Sequence, residues 1–220
     1  MNMPKAARVA LILIVLPLVG CLPGCLSGLR GEVTPIQVVS PNVRIEIDSS
    51  WPEVDLALNV RRPQANQMLD GFGLLVRQDG HRLMSYPGVA WADTTVDLLQ
   101  AELIKGLLDS RRITGGVARP GEIRANGTLM SNIRHFELVD DGPGGRHIRL
   151  EVSAMLTRNR DARQIASENF LVTRPVATTD VATMLHAYEA AIAELVQRMI
   201  GWTLHEAQAQ KKALEAIGLS

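Results

Sequence analysis

Seven residues, Ile148-Arg149-Leu150-Glu151-Val152-Ser153-Ala154, alternate apolar and polar without a break. Successive side chains of a strand point to opposite faces, so the pattern predicts a strand with Ile148, Leu150, Val152 and Ala154 inward and a wet face outward. The dry face of such a sheet needs an apolar cover. Two segments supply one. Val96, Leu99, Leu103 and Leu107, with Ile104 and Leu108 beside them, recur at helical spacing behind a cap at Asp93 or Thr94. Between about Thr179 and Trp202, Val181, Met184, Leu185, Tyr188, Ile192, Leu195, Val196 and Met199 share one helical face, while Thr183, His186, Glu189, Glu194 and Arg198 fall away from it.

Further strands are expected at Leu56–Val60, Phe72–Arg77 and His81–Tyr86, with Gln78-Asp79-Gly80 reading as a hairpin turn between the last two. A meander follows. It runs through residues 123 to 139, where the apolar parity changes between Ile133 and Phe136 as a bulge would cause. It continues through the alternating strand, turns at Arg158-Asn159-Arg160-Asp161, and ends with Ile165–Val172. Thr203-Leu204-His205-Glu206 has the form of a fresh capping box opening a polar tail, residues 203–220.

The N-terminus constrains location. Lys5 and Arg8 precede the apolar run Val9–Leu16, which stops at Pro17. A spanning helix needs about 20 apolar residues, so residues 1–20 read as a secretory signal, to be set aside from the fold. Leu18-Val19-Gly20-Cys21 resembles the lipobox of bacterial lipoproteins, with small Gly20 before the cysteine. Cys21 is therefore the expected lipid attachment site and first mature residue; Cys25 is a weaker candidate, because Pro23 stands where a flexible residue is wanted. Multiple acyl chains at about 0.8 kcal/mol per buried CH₂ would hold the protein firmly on a membrane, a site that labelled palmitate would report. Leu22 is not the Asp that resembles an inner-membrane retention signal, so the expected location is the outer membrane, facing the periplasm. Residues 21–50, rich in Pro, Gly and Ser, read as a lipidated tether, with short extended pieces at Ile36–Val39 and Val43–Ile47. The folded domain is expected at 51–202.

Composition narrows function further. Without Lys5 and Arg8, 21 basic residues face 23 acidic ones, leaving no field to attract nucleic acid. Aromatic residues are 4% of the chain, too few for stacking platforms, while 46% hydrophobic residues suffice for an aliphatic core. No cysteine follows Cys25, so a Cys-His enzyme is excluded, and no Gly-x-Ser-x-Gly elbow is present. The five histidines lie one to an element; His186 with Glu189 is the nearest approach to a ligand pair but sits on a solvated helix face. Asp140-Asp141-Gly142-Pro143-Gly144-Gly145 reads as a hairpin loop, with too few carboxylates for calcium and no phosphate-loop lysine. Asn126-Gly127-Thr128 matches a glycosylation acceptor that means little in a bacterium. Trp51 and Trp91 are expected to be buried against the sheet edge. No catalytic residue, metal ligand or cofactor site is expected.

Several short pieces, in this order and spacing, resemble the ABC-type transport auxiliary lipoproteins, the PqiC/YmbA-like family. They are Trp51-Pro52, Arg62-Pro63-x-Ala65, Leu69-Asp70 leading into Leu74-x-Val76, Tyr86-Pro87-Gly88-Val89-Ala90-Trp91-Ala92-Asp93, Leu98-Leu99, Ile133-x-x-Phe136-Glu137, and Ala190-Ala191 with Trp202. The resemblance covers about 150 residues, from Trp51 to Trp202. It implies an α/β fold, a three-layer sandwich with a mixed, mostly antiparallel sheet and two main packing helices. It also implies a non-enzymatic outer-membrane lipoprotein serving lipid transport beside an MCE-type substrate-binding protein, an ABC permease and an ATPase, often as a homo-oligomer. The family often has an arginine where Gly73 stands, so a contact made by that arginine is not carried over. An alternative is a periplasmic lipoprotein that binds a lipid or other apolar ligand in a groove of its own.

Overall fold

The computed structural model describes residues 35–142 and 145–216. In chain order these form β1 (Gln37–Val39), β2 (Leu58–Val60), β3 (Gly73–Gln78), β4 (Arg82–Trp91), α1 (Thr95–Ser110), β5 (Val117–Ala118), β6 (Gly127–Asp140), β7 (His147–Arg158), β8 (Arg163–Pro175) and α2 (Val181–Ala216). The expected α/β sandwich is the one observed: one curled, mixed sheet with two helices packed on it, antiparallel in its longest ladders.

Strand β6 organises the sheet. One edge pairs along its whole length with antiparallel β7, from Gly127↔Arg158 to Val139↔His147. The other edge is shared in parallel by β2 beside its first half (Leu58↔Gly127) and β3 beside its second (Leu75↔Glu137). β4 and then β1 extend the sheet beyond β3, β5 lies outside β2, and β8 closes the opposite side against β7. The register shifts between Ile133 and His135, the expected bulge, so that Ile133, Phe136 and Leu138 all face the core.

The core fills as the periodicity demands. Ile148, Leu150, Val152, Ala154 and Leu156 of β7 are buried against α2, whose Met184, Tyr188, Ile192, Leu195 and Met199 are wholly buried. Trp91, Phe136 and Tyr188 form an aromatic knot, with Trp91 meeting Tyr188 edge to face at 5.0 Å between centroids. Helix α1 starts at Thr94, whose hydroxyl accepts from the Asp97 amide, and ends where Arg111 adopts φ 54. It crosses α2 at Gly106, where any Cβ would lie 2.6 Å from Ile200 Cδ1 and Ile45 Cδ1.

Turn chemistry agrees with the sequence at Asp79-Gly80, both at positive φ (51° and 73°), as the twist of a tight hairpin requires. It differs at Pro87-Gly88. The strand expected to stop at Tyr86 runs on to Trp91, because the ladder slips between Leu75↔Ser85 and Gly73↔Ala90, and a bulge of this kind takes a proline without losing a needed donor. The same crowding accounts for Gly73, whose Cβ would sit 2.5 Å from Ser85 Oγ.

Two expected boundaries are corrected. Residues 36–50 belong to the folded domain, not to a tether. β1 pairs in parallel with β4 (Gln37↔Val89 to Val39↔Trp91), Val39 and Val43 are buried, and the Val43 carbonyl accepts from Lys105 Nζ at 3.1 Å. The first extended piece is thus a strand and the second, Val43–Ile47, is not. Nor does a fresh element begin at Thr203. Its hydroxyl donates to the Met199 carbonyl at 2.8 Å, Leu204 is buried, and α2 continues unbroken to Ala216. β5 has no counterpart in the sequence reading, and the strand expected from residue 123 starts at Gly127.

Candidate functional site

Cys21, the one site residue the sequence singles out, lies outside the described residues, as do the signal segment and Cys25. Among the described residues, no helix is long and apolar enough to cross a membrane, and no three His, Cys, Asp or Glu side chains gather as a metal site would need. Among the described residues, the candidates are two of the ionic clusters and two of the surface concavities.

The first cluster follows from the β6 bulge. Once the parity has shifted, Phe136 and Leu138 turn inward and His135 and Glu137 turn to the sheet's other face. Glu137 is nevertheless wholly buried, because long neighbours close over it. Its Oε1 accepts from Arg77 Nε at 2.7 Å and lies 2.6 Å from His135 Nδ1, and its Oε2 accepts from the Phe136 amide at 3.2 Å. The next strand continues the network. Glu151 accepts from Arg149 Nη2 at 2.7 Å and from Asn169 Nδ2 at 3.2 Å, and its carboxyl is held below the usual range chiefly by the Arg149 hydrogen bond. Two carboxylates and an imidazole suggest acid-base chemistry, yet each is engaged by a neighbour, and the hydroxyl that joins the network, Ser153 Oγ, donates to Asn169 Oδ1 at 3.1 Å.

The second cluster is centred on Arg62. Its guanidinium grips Asp97 through Nε and Nη2 (2.6 and 3.1 Å) and Asp70 through Nη1 and Nη2 (2.9 and 2.8 Å), and Nη2 reaches the Thr94 hydroxyl at 3.3 Å. Both aspartates are held below the usual carboxylate range, in each case chiefly by the hydrogen bond from Arg62, and the arginine itself is shifted upward in return. Thr95 adds a hydroxyl bond to the Leu69 carbonyl. The short pieces Arg62-Pro63 and Leu69-Asp70 are thereby tied to the start of α1. They are a structural clamp.

The remaining candidates resolve in the same way. Trp51 and Trp91 are buried, as expected, but against other partners than the sheet edge: Trp51 lies against Gly201 of α2, and Trp91 packs on Phe136 and Tyr188. Asn126 uses its side-chain oxygen to accept from the Ala57 amide at 2.9 Å. His186 and Glu189 stand 3.2 Å apart on the exposed face of α2, and Glu189 also accepts from the Asn42 amide at 2.8 Å, fastening the segment after β1. Asp140 pairs with Arg146 at 2.8 Å across its hairpin. Tyr86 donates to the Thr179 carbonyl at 2.7 Å, joining the bulged strand to the approach to α2. Sequence reasoning missed the burial of Glu137; the parity change that it did detect was the available signal.

Of the concavities, one of about 280 Å³ lies where Arg61, Arg62 and Gln64 overhang Met130 and Asn132 of β6 and Ser153 of β7. Another, about 330 Å³ and more apolar, lies under the end of α2.

Comparison with known proteins agrees with this arrangement. A crystal structure of a Xanthomonas campestris protein superposes with a TM-score of 0.75 at 30% identity, covering 80% of this chain and 99% of that one. A second solved structure, of an uncharacterized protein, gives 0.54 at 13% identity, covering 74% and 97%, and supports the fold alone. An uncharacterized protein of Bradyrhizobium diazoefficiens is 26% identical over 194 residues, 84% of this chain, and the chain spans about half the length of that relative. The family model of the ABC-type transport auxiliary lipoprotein component matches residues 40–200, and the chain belongs to that family.

Proposed function

We propose that this protein is a non-enzymatic accessory subunit, attached to the outer membrane through a lipid on Cys21 and facing the periplasm. It serves an ABC-type lipid transporter in company with an MCE-type substrate-binding protein, a permease and an ATPase. The observation that carries this reading is the family match over residues 40–200. The ion pairs fit this reading, since Arg77 with Glu137 and Arg62 with Asp70 and Asp97 tie elements of the fold together. Homo-oligomerisation belongs to the same proposal. The outer edge of the thirteen-residue β8 has no strand partner among the described residues, and an open edge of that length is a place for a second copy to pair.

Two measurements test it. The Cys21→Ala chain, followed with labelled palmitate and by membrane fractionation, is expected to lose both the label and the sedimentation; retention of both defeats the anchor. Crosslinking before gentle solubilisation is expected to recover permease and MCE-type components with the protein. Recovery of the protein alone removes the transporter role.

A further inference from the structure

The main-chain groups of an edge strand alternate, residue by residue, between the neighbouring strand and the open side. In β8 their phase is readable. The Val176 amide donates to the Arg146 carbonyl at 3.0 Å, on the β7 side. Counting back by twos, Arg174, Val172 and Phe170 also turn to β7, while Pro175, Thr173, Leu171 and Asn169 turn outward. The Leu171 carbonyl agrees, since it accepts from Arg198 Nη1 of α2 at 2.8 Å. Pro175 agrees as well, because a proline on an edge strand sits where its missing amide hydrogen would face outward.

Side chains alternate on the same period. Phe170 and Val172 are buried on the α2 side of the sheet, and Glu168 and Arg174 share that face. Asn169, Leu171 and Thr173 lie on the wet face, where Leu171 stays 46% exposed. The charges along the edge are unevenly spent. Arg174 and Arg198 share one carboxylate, Glu194. Glu168, six residues before Arg174, is exposed and joins no ion pair among the described residues.

We infer that the β8 edges of two copies of this chain pair antiparallel about a two-fold axis at Leu171. Length selects the occupant: the sheet's other outer strands, β1 and β5, have three and two residues against thirteen in β8, so β8 of a second copy is the outer strand that matches it. Charge selects the register. With the axis at Leu171, the exposed leucine meets its own copy, Asn169 meets Thr173, and Glu168 of each copy stands opposite Arg174 of the other. Each unspent carboxylate thereby reaches the two arginines that share a single partner. Outward groups must face outward groups, and moving the axis one residue either way sets Glu168 opposite Val172 or Val176 instead. Arg198 yields the Leu171 carbonyl to the Leu171 amide of the second copy. The inference rests on the homo-oligomer of the proposed function and adds its symmetry, an isologous contact, and its register.

The test is disulfide crosslinking of the full chain in intact cells, with the Cys25→Ser chain as background and its bands as baseline. Leu171→Cys is expected to oxidise to a dimer, because its two copies face each other with Cα atoms about 5.5 Å apart. Asn169→Cys is expected to stay uncrosslinked alone, its two copies being offset by about 13 Å along the strand, and to crosslink when co-expressed with Thr173→Cys. In sedimentation of the purified full chain in detergent, Glu168→Arg is expected to weaken the dimer roughly tenfold, and adding Arg174→Glu is expected to recover most of that loss. Self-crosslinking of Asn169→Cys as strong as that of Leu171→Cys overturns the register. An oligomer by sedimentation with no Leu171→Cys crosslink overturns the two-fold and leaves the homo-oligomer standing, whereas a monomer by both measurements removes the two together.

Discussion

The two ionic clusters are built from the same parts at nearly the same distances, and they differ in water. Arg77 meets Glu137 at 2.7 Å with the carboxylate wholly buried; Arg62 meets Asp70 and Asp97 at 2.8 and 2.6 Å with all three side chains 35–45% exposed. Geometry alone would rank the Arg62 clamp higher, since it has more hydrogen bonds. Solvent reverses the order. An exposed pair gives up little hydration and gains little, whereas a buried carboxylate stripped of its cation keeps the whole desolvation penalty. The lesson concerns what each cluster is for: Glu137 makes the β6 bulge intolerant of change, and Arg62 orients a loop.

The sharpest way to break this comparison is to remove each arginine in turn while keeping its aliphatic stem. Arg77→Met is expected to lose about 3–5 kcal/mol of unfolding free energy, about 10 °C in Tm for a domain of this size. The double variant Arg77→Met, Glu137→Gln is expected to recover much of that loss, because no charge is then left buried. Urea unfolding of the two variants measures both. If Arg77→Met unfolds at the native midpoint, the buried pair is not what holds the bulge.

Arg62→Met should cost several-fold less, and its cost should depend on conditions as the Arg77 effect does not. Salt at 1 M shortens the screening length to about 3 Å and should erase most of the difference between Arg62→Met and the native chain. The pH dependence has a definite sign. Arg62 holds Asp70 and Asp97 below the usual carboxylate range, so the folded state binds fewer protons there than the unfolded one. The resulting stability is present above the unfolded carboxylate pKa of about 4 and is lost as pH falls through the lower folded values. Between about pH 5 and pH 2 the native chain should therefore lose more stability than Arg62→Met, measured by urea midpoints at each pH. Parallel acid limbs for the two would show that the clamp is not charged in the way the geometry implies.

The parts of the fold legible in the sequence are those where one residue type repeats at one period. The inward face of β7 and the apolar stripe of α2 were both assigned correctly from Ile148 to Ala154 and from Met184 to Met199. What was illegible depends on partners distant in the chain. β1 has three residues and only Val39 is buried, so the pairing with Val89–Trp91 that makes it a strand leaves no periodic trace. Thr203 looks like a cap in sequence, but buried Leu204 and the bond to Met199 keep the helix going. Glu137 lies among Phe136, Leu138 and Val139, all buried, and alternation would send it to water; Arg77, sixty residues earlier, is what covers it. The proposed attachment at Cys21 is the converse case, since that expectation is read from four consecutive residues alone.

The smallest expected effect concerns the pair of His186 with Glu189, where a more exposed and a more buried partner meet in one contact. The imidazole is 81% exposed and its partner 22%. His186→Ala should leave stability within about 0.5 kcal/mol of native, as expected of surface substitutions that remove no special feature. Glu189→Ala removes in addition the acceptor for the Asn42 amide, the contact that fastens the segment between β1 and Val43 to α2. That variant should open the segment locally and hasten proteolytic cleavage near residue 42, with little change in global unfolding. If His186→Ala hastens cleavage equally, the exposed half of the pair is holding the segment, and burial is not what separates contacts that matter in this protein from those that do not.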